Sequence, residues 1–189
     1  FRISGHMDEL KSAWEIAQEK ADKLGKLSVE EEQQQREEEC RQIGTAVAQK
    51  YFDQPDLQDI ATVLNSYPEE KRKLIRRATL NCLVEAIDLT SLNLGKAIQG
   101  IAMVEPKTQG VLEQITQLAQ EYEQAGRKAR EGLQNKVKET LHQLRISGTA
   151  VDINIETTLE WQEAWHSLAQ PFKSRLDTLK QELTSVFRH

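Results

Sequence analysis

The sequence predicts an all-α protein, a helical bundle centred on one buried helix and extended by a long C-terminal helical hairpin. The composition, with 38% hydrophobic and 29% charged residues but only four Pro and nine Gly, is typical of helix-rich proteins. Apolar residues recur at steps of three and four along most of the chain, which is the helical period. The length of 189 residues suffices for one domain with a sizeable core.

The segment from Pro68 to Leu89 is the predicted centre of the bundle, because its second half is apolar on nearly every side. A helix of that kind has neighbours around most of its circumference, whereas a surface helix carries one apolar stripe. We therefore expect a buried helix over Leu74 to Leu89, with its charged first turns, Glu69 to Arg77, emerging at one end. Its two apolar faces consist of Ile75, Ala78, Cys82, Ala86 and Leu89, and of Leu80, Val84 and Ile87.

The N-terminal region begins with a segment that we exclude from the fold, because Phe1 to Met7 resembles a vector-derived remnant. Asp8 to Leu24 carries one apolar stripe, and Gly25 is placed to end that first predicted helix. The predicted organisation is a bundle over residues 8–104 and a hairpin over residues 105–189, packed together as one domain.

A second helix is predicted to begin at Ser28, whose hydroxyl can cap the helix while the side chain of Glu31 reaches back. The acidic run from Glu30 to Glu39 has no apolar stripe, so we expect a solvated, projecting stretch of helix rather than a cation site. Only from Cys40 onward do apolar residues mark a buried face. Pro55 and Pro68 are expected in the first turns of the third and fourth helices, where proline loses no hydrogen bond.

The C-terminal half is predicted to form the hairpin, after a short apolar helix within 91–104. The spacing from Lys107 to Arg145 favours one continuous helix with a narrow stripe. Residues 151–155 alternate between apolar and polar, which predicts a short β-like connector. Thr157, with Glu160 three residues on, is expected to begin the last helix, and Pro171 should kink or divide it. The apolar residues of the connector are Val151, Ile153 and Ile155.

Two Glu-x-x-His motifs, Glu139 with His142 and Glu163 with His166, have the spacing that di-metal four-helix bundles use. Metal ligands in such bundles point into the interior. On a helical wheel both pairs lie opposite the apolar stripes of their helices, so we predict that they face solvent and bind no metal.

The other residues that could bind a ligand or react are also predicted to be structural. Cys40 and Cys82 have no metal-ligand spacing and lie on apolar faces, as free buried thiols do. Trp161 and Trp165 lie on the stripe of the last helix and are interpreted as core residues. No spacing identifies a catalytic triad or a nucleotide-binding loop, so the sequence predicts no catalytic residue, metal or cofactor.

The strongest positive cluster lies at the start of the buried helix. One interpretation is a solvated helix start, with Glu69 and Glu70 paired to the cations that follow. The other is a phosphate or RNA contact, as in a nucleic-acid- or ribosome-associated factor. The net charge of −5 argues against a general nucleic-acid binder, and no aromatic platform accompanies the cluster. Its members are Lys71, Arg72, Lys73, Arg76 and Arg77.

We therefore predict a non-enzymatic helical interaction or scaffold protein that forms a homodimer. The narrow stripe of the long helix resembles a helix–helix seam, and an unpaired strand can pair with its copy across a twofold axis. The alternatives are the polyanion-binding factor and an enzyme or metal-binding bundle whose site is assembled by tertiary contacts. No apolar run is long enough for a membrane span, and a cytoplasmic location is expected. The predicted self-association residues are Leu112, Ile115, Tyr122, Val151, Ile153 and Ile155.

Overall fold

The computed structural model describes residues 28–54, 59–145 and 154–187, and within these ranges the protein is all-α, as predicted. The predicted helix over Asp8 to Leu24, residue Pro55, and the connector residues Val151 and Ile153 lie outside the described residues. The helices of the described ranges are α1 (Val29–Asp53), α2 (Ile60–Asn65), α3 (Glu69–Glu85), α4 (Leu94–Val104), α5 (Gln109–Gln143) and α6 (Leu159–Val186).

Helix α3 is the buried centre that the sequence predicts. Ile75 and Leu83 are fully buried, and Ile87, just beyond the helix end, is buried too. The helix ends at Glu85 rather than Leu89, because the chain turns at Ala86 toward α4. Side chains from the other five helices meet those of α3 in one core, which therefore includes both the N-terminal bundle and part of the hairpin.

Helix α1 packs along α3 in the same direction, and a glycine sets the distance between them. A Cβ atom at Gly44 would lie 2.5 Å from Ala78 Cβ, 2.8 Å from the Ile75 carbonyl oxygen and 2.9 Å from the Thr79 nitrogen. The buried Thr79 hydroxyl lies 2.9 Å from the Ile75 carbonyl oxygen and 3.2 Å from that of Gly44. The backbones of the two helices are thus in direct contact, which only a residue without a side chain permits.

The first half of α1 projects from the bundle, as predicted. Ser28 and Glu31 form the predicted capping box: the Ser28 N–H donates to the Glu31 carboxylate at 2.8 Å, and the Glu31 N–H donates to the Ser28 hydroxyl at 3.2 Å. Every side chain from Val29 to Glu39 is exposed, and Cys40 is the first buried residue of α1. The absence of an apolar stripe in this run correctly indicated its exposure.

The predicted role of Pro68 is wrong in detail. Pro68 is the N-cap of α3 rather than its first helical residue, with extended backbone angles and a carbonyl that accepts from the N–H of Arg72. Helix α2 begins at Ile60 and is capped by the side chain of Asp59, whereas Pro55 lies outside the described residues and its predicted role stays a prediction.

The start of α6 also differs from the prediction. Ile155 lies in a short 3₁₀ turn, Ile155–Thr157, and not at the end of a strand. That turn moves the N-cap by one residue, from Thr157 to Thr158, whose hydroxyl accepts from the Trp161 N–H at 3.2 Å. Of the predicted kink or division at Pro171, the division is wrong, because α6 passes through Pro171 without a break, and the kink stays a prediction.

Helices α5 and α6 form the long antiparallel hairpin. The predicted continuity of α5 is confirmed over Gln109–Gln143, a length of about 52 Å at 1.5 Å per residue. Arg175 pairs with Glu121 at 2.8 Å, and Arg130 pairs with Glu156 at 3.0 Å near the other end. Leu176 and Leu183 of α6 reach the central core, whereas α5 has no buried residue after Gly126. None of the helices in the described ranges is long and apolar enough to cross a membrane.

Candidate functional site

An aromatic cleft of about 370 Å³ lies between the hairpin and the connection from α3 to α4. One wall is a face of α6, and the other is formed by α5 and by the turn at Asp88 to Thr90. We call it the aromatic cleft throughout. The aromatic and charged residues among those that line it include Asp88, Tyr122, Trp161, Trp165, His166 and Lys173.

The aromatic wall is built around a glycine notch. The rings of Trp161 and Trp165 are stacked, with centroids 5.3 Å apart and planes at 25°. Trp165 in turn packs on Tyr122, with ring centroids 5.2 Å apart. It also covers Gly126, where a Cβ atom would lie 2.7 Å from the Trp165 ring. Both tryptophans remain partly exposed and lie outside the central core, so the prediction that they are core residues is wrong.

Tyr122 of α5 lines the aromatic cleft. The residue is 6% exposed, and its hydroxyl makes no hydrogen bond with another described residue. Burial, followed by the negative charge of Asp88, raises the pKa of Tyr122, which therefore stays a neutral hydroxyl at physiological pH.

Asp88 supplies the carboxylate of the cleft. Hydrogen bonds from the Thr90 hydroxyl and backbone N–H lower the pKa of Asp88, and the positive charges of Lys180 and Lys173 lower it further. Both Thr90 bonds go to Oδ1, whereas Oδ2 accepts none from the described residues. An ionised carboxylate, a hydroxyl and exposed ring faces together suit ligand binding.

A basic groove of about 670 Å³ lies where the start of α3 meets the end of α6. Lys73, Arg76 and Arg77 line it together with Lys107, which follows α4. Arg76 is held by the Val104 carbonyl and by the Glu105 carboxylate, 2.9 Å away. In the described ranges no carboxylate lies within 4.0 Å of the charged groups of Lys73, Arg77 or Lys107.

The other two members of the predicted polyanion contact do not join this groove. Arg72 donates two hydrogen bonds to the Tyr67 carbonyl, at 2.9 and 3.0 Å, and thereby fixes the turn before α3. Lys71 lies 3.7 Å from Glu39 of α1. The positive cluster of the sequence is thus divided between structural contacts and an open groove.

The predicted self-association face is largely covered by the chain itself. Leu112, Ile115, Tyr122 and Ile155 are buried against other elements of the same molecule, so they offer no surface to a second copy. The apolar stripe of α5 is less covered beyond Gly126. Leu133, Val137 and Leu141 are half-buried there, and Leu144 is 64% exposed. Val151 and Ile153 lie outside the described residues.

The Glu-x-x-His motifs face solvent, as predicted. Glu139, His142, Glu163 and His166 are all exposed. Among the described residues no three His, Cys, Asp or Glu side chains come close enough to hold a metal ion. Cys40 is a buried free thiol, whereas Cys82 is only partly buried, and burial raises the pKa of the Cys82 thiol.

Comparison with known proteins places the chain in a family. Residues 61–185 match the model of a family of unknown function, DUF6657, which spans α2 to α6 and thus includes the aromatic cleft and the basic groove. No curated protein and no solved structure shows significant similarity to the chain. The match covers well over half of the 189 residues, and the chain therefore belongs to the DUF6657 family of unknown function.

Proposed function

We propose that the protein is a non-enzymatic helical interaction protein that self-associates through the outer half of its hairpin. We call this half the hairpin tip and define it as residues 127–144 and 159–171. The observation that carries the proposal is that α5 continues to Gln143 although its last buried residue is Gly126. A helix that served only the core would end near Gly126, because further turns add no fully buried residue in return for their ordering.

The hairpin tip nevertheless keeps an apolar stripe. Leu133, Val137 and Leu141 line a groove of about 610 Å³ between α5 and α6, which also includes Ala164. Leu144 and Leu159 are largely exposed, at 64% and 69%. A row of apolar side chains at coiled-coil-like spacing suits packing against another helix.

The charges of the tip favour a second copy of this chain as the occupant of the groove. Residues 127–143 of α5 carry five Lys and Arg but only two Glu. The facing start of α6, residues 159–171, carries Glu160 and Glu163 and no Lys or Arg. A twofold axis across the tip would set the basic helix of each copy against the acidic helix of the other, in a four-helix arrangement.

Replacing Leu141 with glutamate is expected to weaken this dimer by about 100-fold or more. The change removes an apolar contact worth about 1.5–3 kcal/mol and occurs twice in a symmetric interface. Sedimentation equilibrium of the full-length variant at several concentrations gives the dissociation constant.

The matched control for Leu141→Glu is Leu92→Glu, which introduces the same charge at a leucine that is 99% exposed in the connection before α4. We expect Leu92→Glu to dimerise like the unmodified chain. Equal dimerisation of both variants, with circular dichroism showing both folded, would place the interface elsewhere and refute this part of the proposal.

A scaffold role in the cytoplasm is the fuller form of this proposal. A rigid hairpin longer than its core requires can hold a protein partner at a distance from the bundle, and dimerisation would present two such bundles. The free thiols of Cys40 and Cys82 support a reducing compartment.

The basic groove supports a second candidate function, the binding of a polyanion such as RNA. The specific observation is that Lys107, distant in sequence, joins Lys73 and Arg77 on one open surface. Such binding would fall steeply with salt, because each neutralised phosphate releases counterions.

For this second candidate, the variant Lys73→Glu/Arg77→Glu is expected to weaken binding of a single-stranded RNA by about 10-fold or more at low salt, measured by fluorescence anisotropy. Arg72 and Arg76 are left intact because they hold backbone carbonyls. The control, Arg36→Glu/Lys50→Glu, changes the net charge equally at exposed positions of α1. Equal loss in both variants, or no binding by the unmodified chain, would dismiss the polyanion function.

A further inference from the structure

We infer that the basic groove binds a small amphiphilic anion, a free molecule in which a phosphate or carboxylate head is joined to an apolar tail. This inference rests on the second candidate function only in that the groove attracts anions, and it names the class of anion. Two features of the groove carry it: cations that no described carboxylate pairs with, and apolar side chains that line the same surface.

The cations of the groove come from two parts of the chain. Lys73 and Arg77 are both exposed and lie one turn apart on the same face of α3. Lys107 is supplied by the chain after α4, which an ion pair of 2.9 Å between Arg76 and Glu105 holds against α3. Arg76 is thus a positioning residue, and the three other cations are available to a ligand.

The carboxylates near the groove do not cancel this charge. Glu105 is the only carboxylate among the described residues that line the groove, and it is already paired with Arg76. Glu69 and Glu70 precede Lys73 by about one turn of α3, but neither lines the groove. Neither carboxylate lies within 4.0 Å of the Lys73 amino group. The excess of positive charge therefore favours an anionic head.

Apolar side chains form the rest of the groove. Leu80 follows Lys73 by about two turns on the same face of α3 and is only 2% exposed, so the lining changes from cationic to apolar toward the core. Leu74 and, at the end of α6, Val186 and Phe187 are half-buried in the groove. An apolar tail laid against them would remove their remaining surface from water, which favours binding.

The size of the groove suits a small free ligand. Its volume of about 670 Å³ lies within the range of small-molecule sites, roughly 300–1,000 Å³. Inorganic phosphate and an RNA backbone match the cations, but they have no apolar tail to cover Leu74 and Val186. A molecule with both parts uses the whole groove.

Octyl phosphate, octanol and inorganic phosphate test the inference on the full-length protein by isothermal titration calorimetry at low salt. Octyl phosphate should bind saturably at millimolar concentration or below. Octanol, without the charged head, and inorganic phosphate, without the tail, should each bind at least about 10-fold more weakly. Octanol or inorganic phosphate binding as tightly as octyl phosphate, or no binding of octyl phosphate, would overturn the inference.

Two further titrations separate this inference from related ones. Binding of a single-stranded RNA without binding of octyl phosphate would refute the inference and leave the second candidate function standing. Binding of phosphatidylglycerol vesicles without binding of octyl phosphate would assign the groove to a membrane surface and would also refute the inference. Failure of all three ligands to bind would dismiss both the inference and the polyanion function.

A charge-removing variant locates the head of the ligand. Lys73→Gln/Arg77→Gln should weaken octyl phosphate binding by about 5-fold, the expected loss of two exposed ion pairs. The control, Arg36→Gln/Lys50→Gln, removes the same charge at exposed positions of α1 and should bind octyl phosphate like the unmodified chain. Equal binding by the two variants would contradict the inference.

A second variant locates the tail. Phe187→Ala should weaken octyl phosphate binding by about 5-fold or more and leave the binding of RNA unchanged. The control is Phe52→Ala, at a half-buried phenylalanine of α1 that does not line the groove. Circular dichroism checks that both variants are folded. If Phe187→Ala binds octyl phosphate like Phe52→Ala, the groove does not hold the tail and the inference fails, whereas the polyanion function is unaffected.

Discussion

Replacement of Gly44 with alanine is expected to lower the free energy of unfolding by about 3 kcal/mol, at the upper end of typical overpacking costs. The added Cβ would meet backbone atoms of Ile75 and Thr79 at 2.8 and 2.9 Å, and these atoms belong to the buried helix α3. Because backbone atoms cannot rotate away, α1 must move off α3. Urea denaturation followed by circular dichroism measures the change.

The matched control for Gly44→Ala is Gly132→Ala, in the exposed part of α5. A Cβ atom there meets nothing within 4 Å, so alanine should raise the free energy of unfolding by about 0.5–1 kcal/mol through its helix propensity. If Gly44→Ala were as stable as the unmodified chain, the close contact of α1 and α3 would be incorrect.

Replacement of Leu83 with alanine is expected to destabilise the protein by about 3 kcal/mol, within the range for buried leucines. Leu83 is 0% exposed, and its Cδ1 lies near Gly100 of α4, where a Cβ atom would be 3.3 Å away. The truncation therefore leaves a cavity between α3 and α4. Thermal or urea denaturation gives the difference in stability.

Leu92→Ala removes the same atoms from a side chain that is 99% exposed, and it should change stability by less than about 0.5 kcal/mol. Similar small effects for Leu83→Ala and Leu92→Ala would contradict the central position of α3 in the core.

The elements that sequence predicted well are those that local chemistry determines. The Ser28 capping box needs only residues three apart, and the exposure of Glu30 to Glu39 follows from the missing apolar stripe. The burial of α3 followed from its apolar faces. An error arose where two neighbouring threonines can each cap a helix. Thr157 belongs to the 3₁₀ turn Ile155–Thr157, so the next residue, Thr158, is the N-cap of α6.

The aromatic cleft could not be predicted, because its parts are far apart in sequence. Asp88, Tyr122 and Trp161 come from three elements, and only the folding of α5 and α6 over the end of α3 brings them together. The one available signal was the pair Trp161 and Trp165 at helical spacing, which equally fits a core stripe. The basic groove shows the same limit, since Lys107 joins the α3 cations only in three dimensions.

The most direct test of the central proposal is the mass of the full-length protein in solution. Sedimentation equilibrium at micromolar to tens of micromolar concentration should give a reversible species of twice the 21.6 kDa chain mass. The proposal attributes that dimer to the hairpin tip, where the half-buried apolar stripe of α5 lies beside the acidic start of α6. A single-chain mass at every concentration would contradict it.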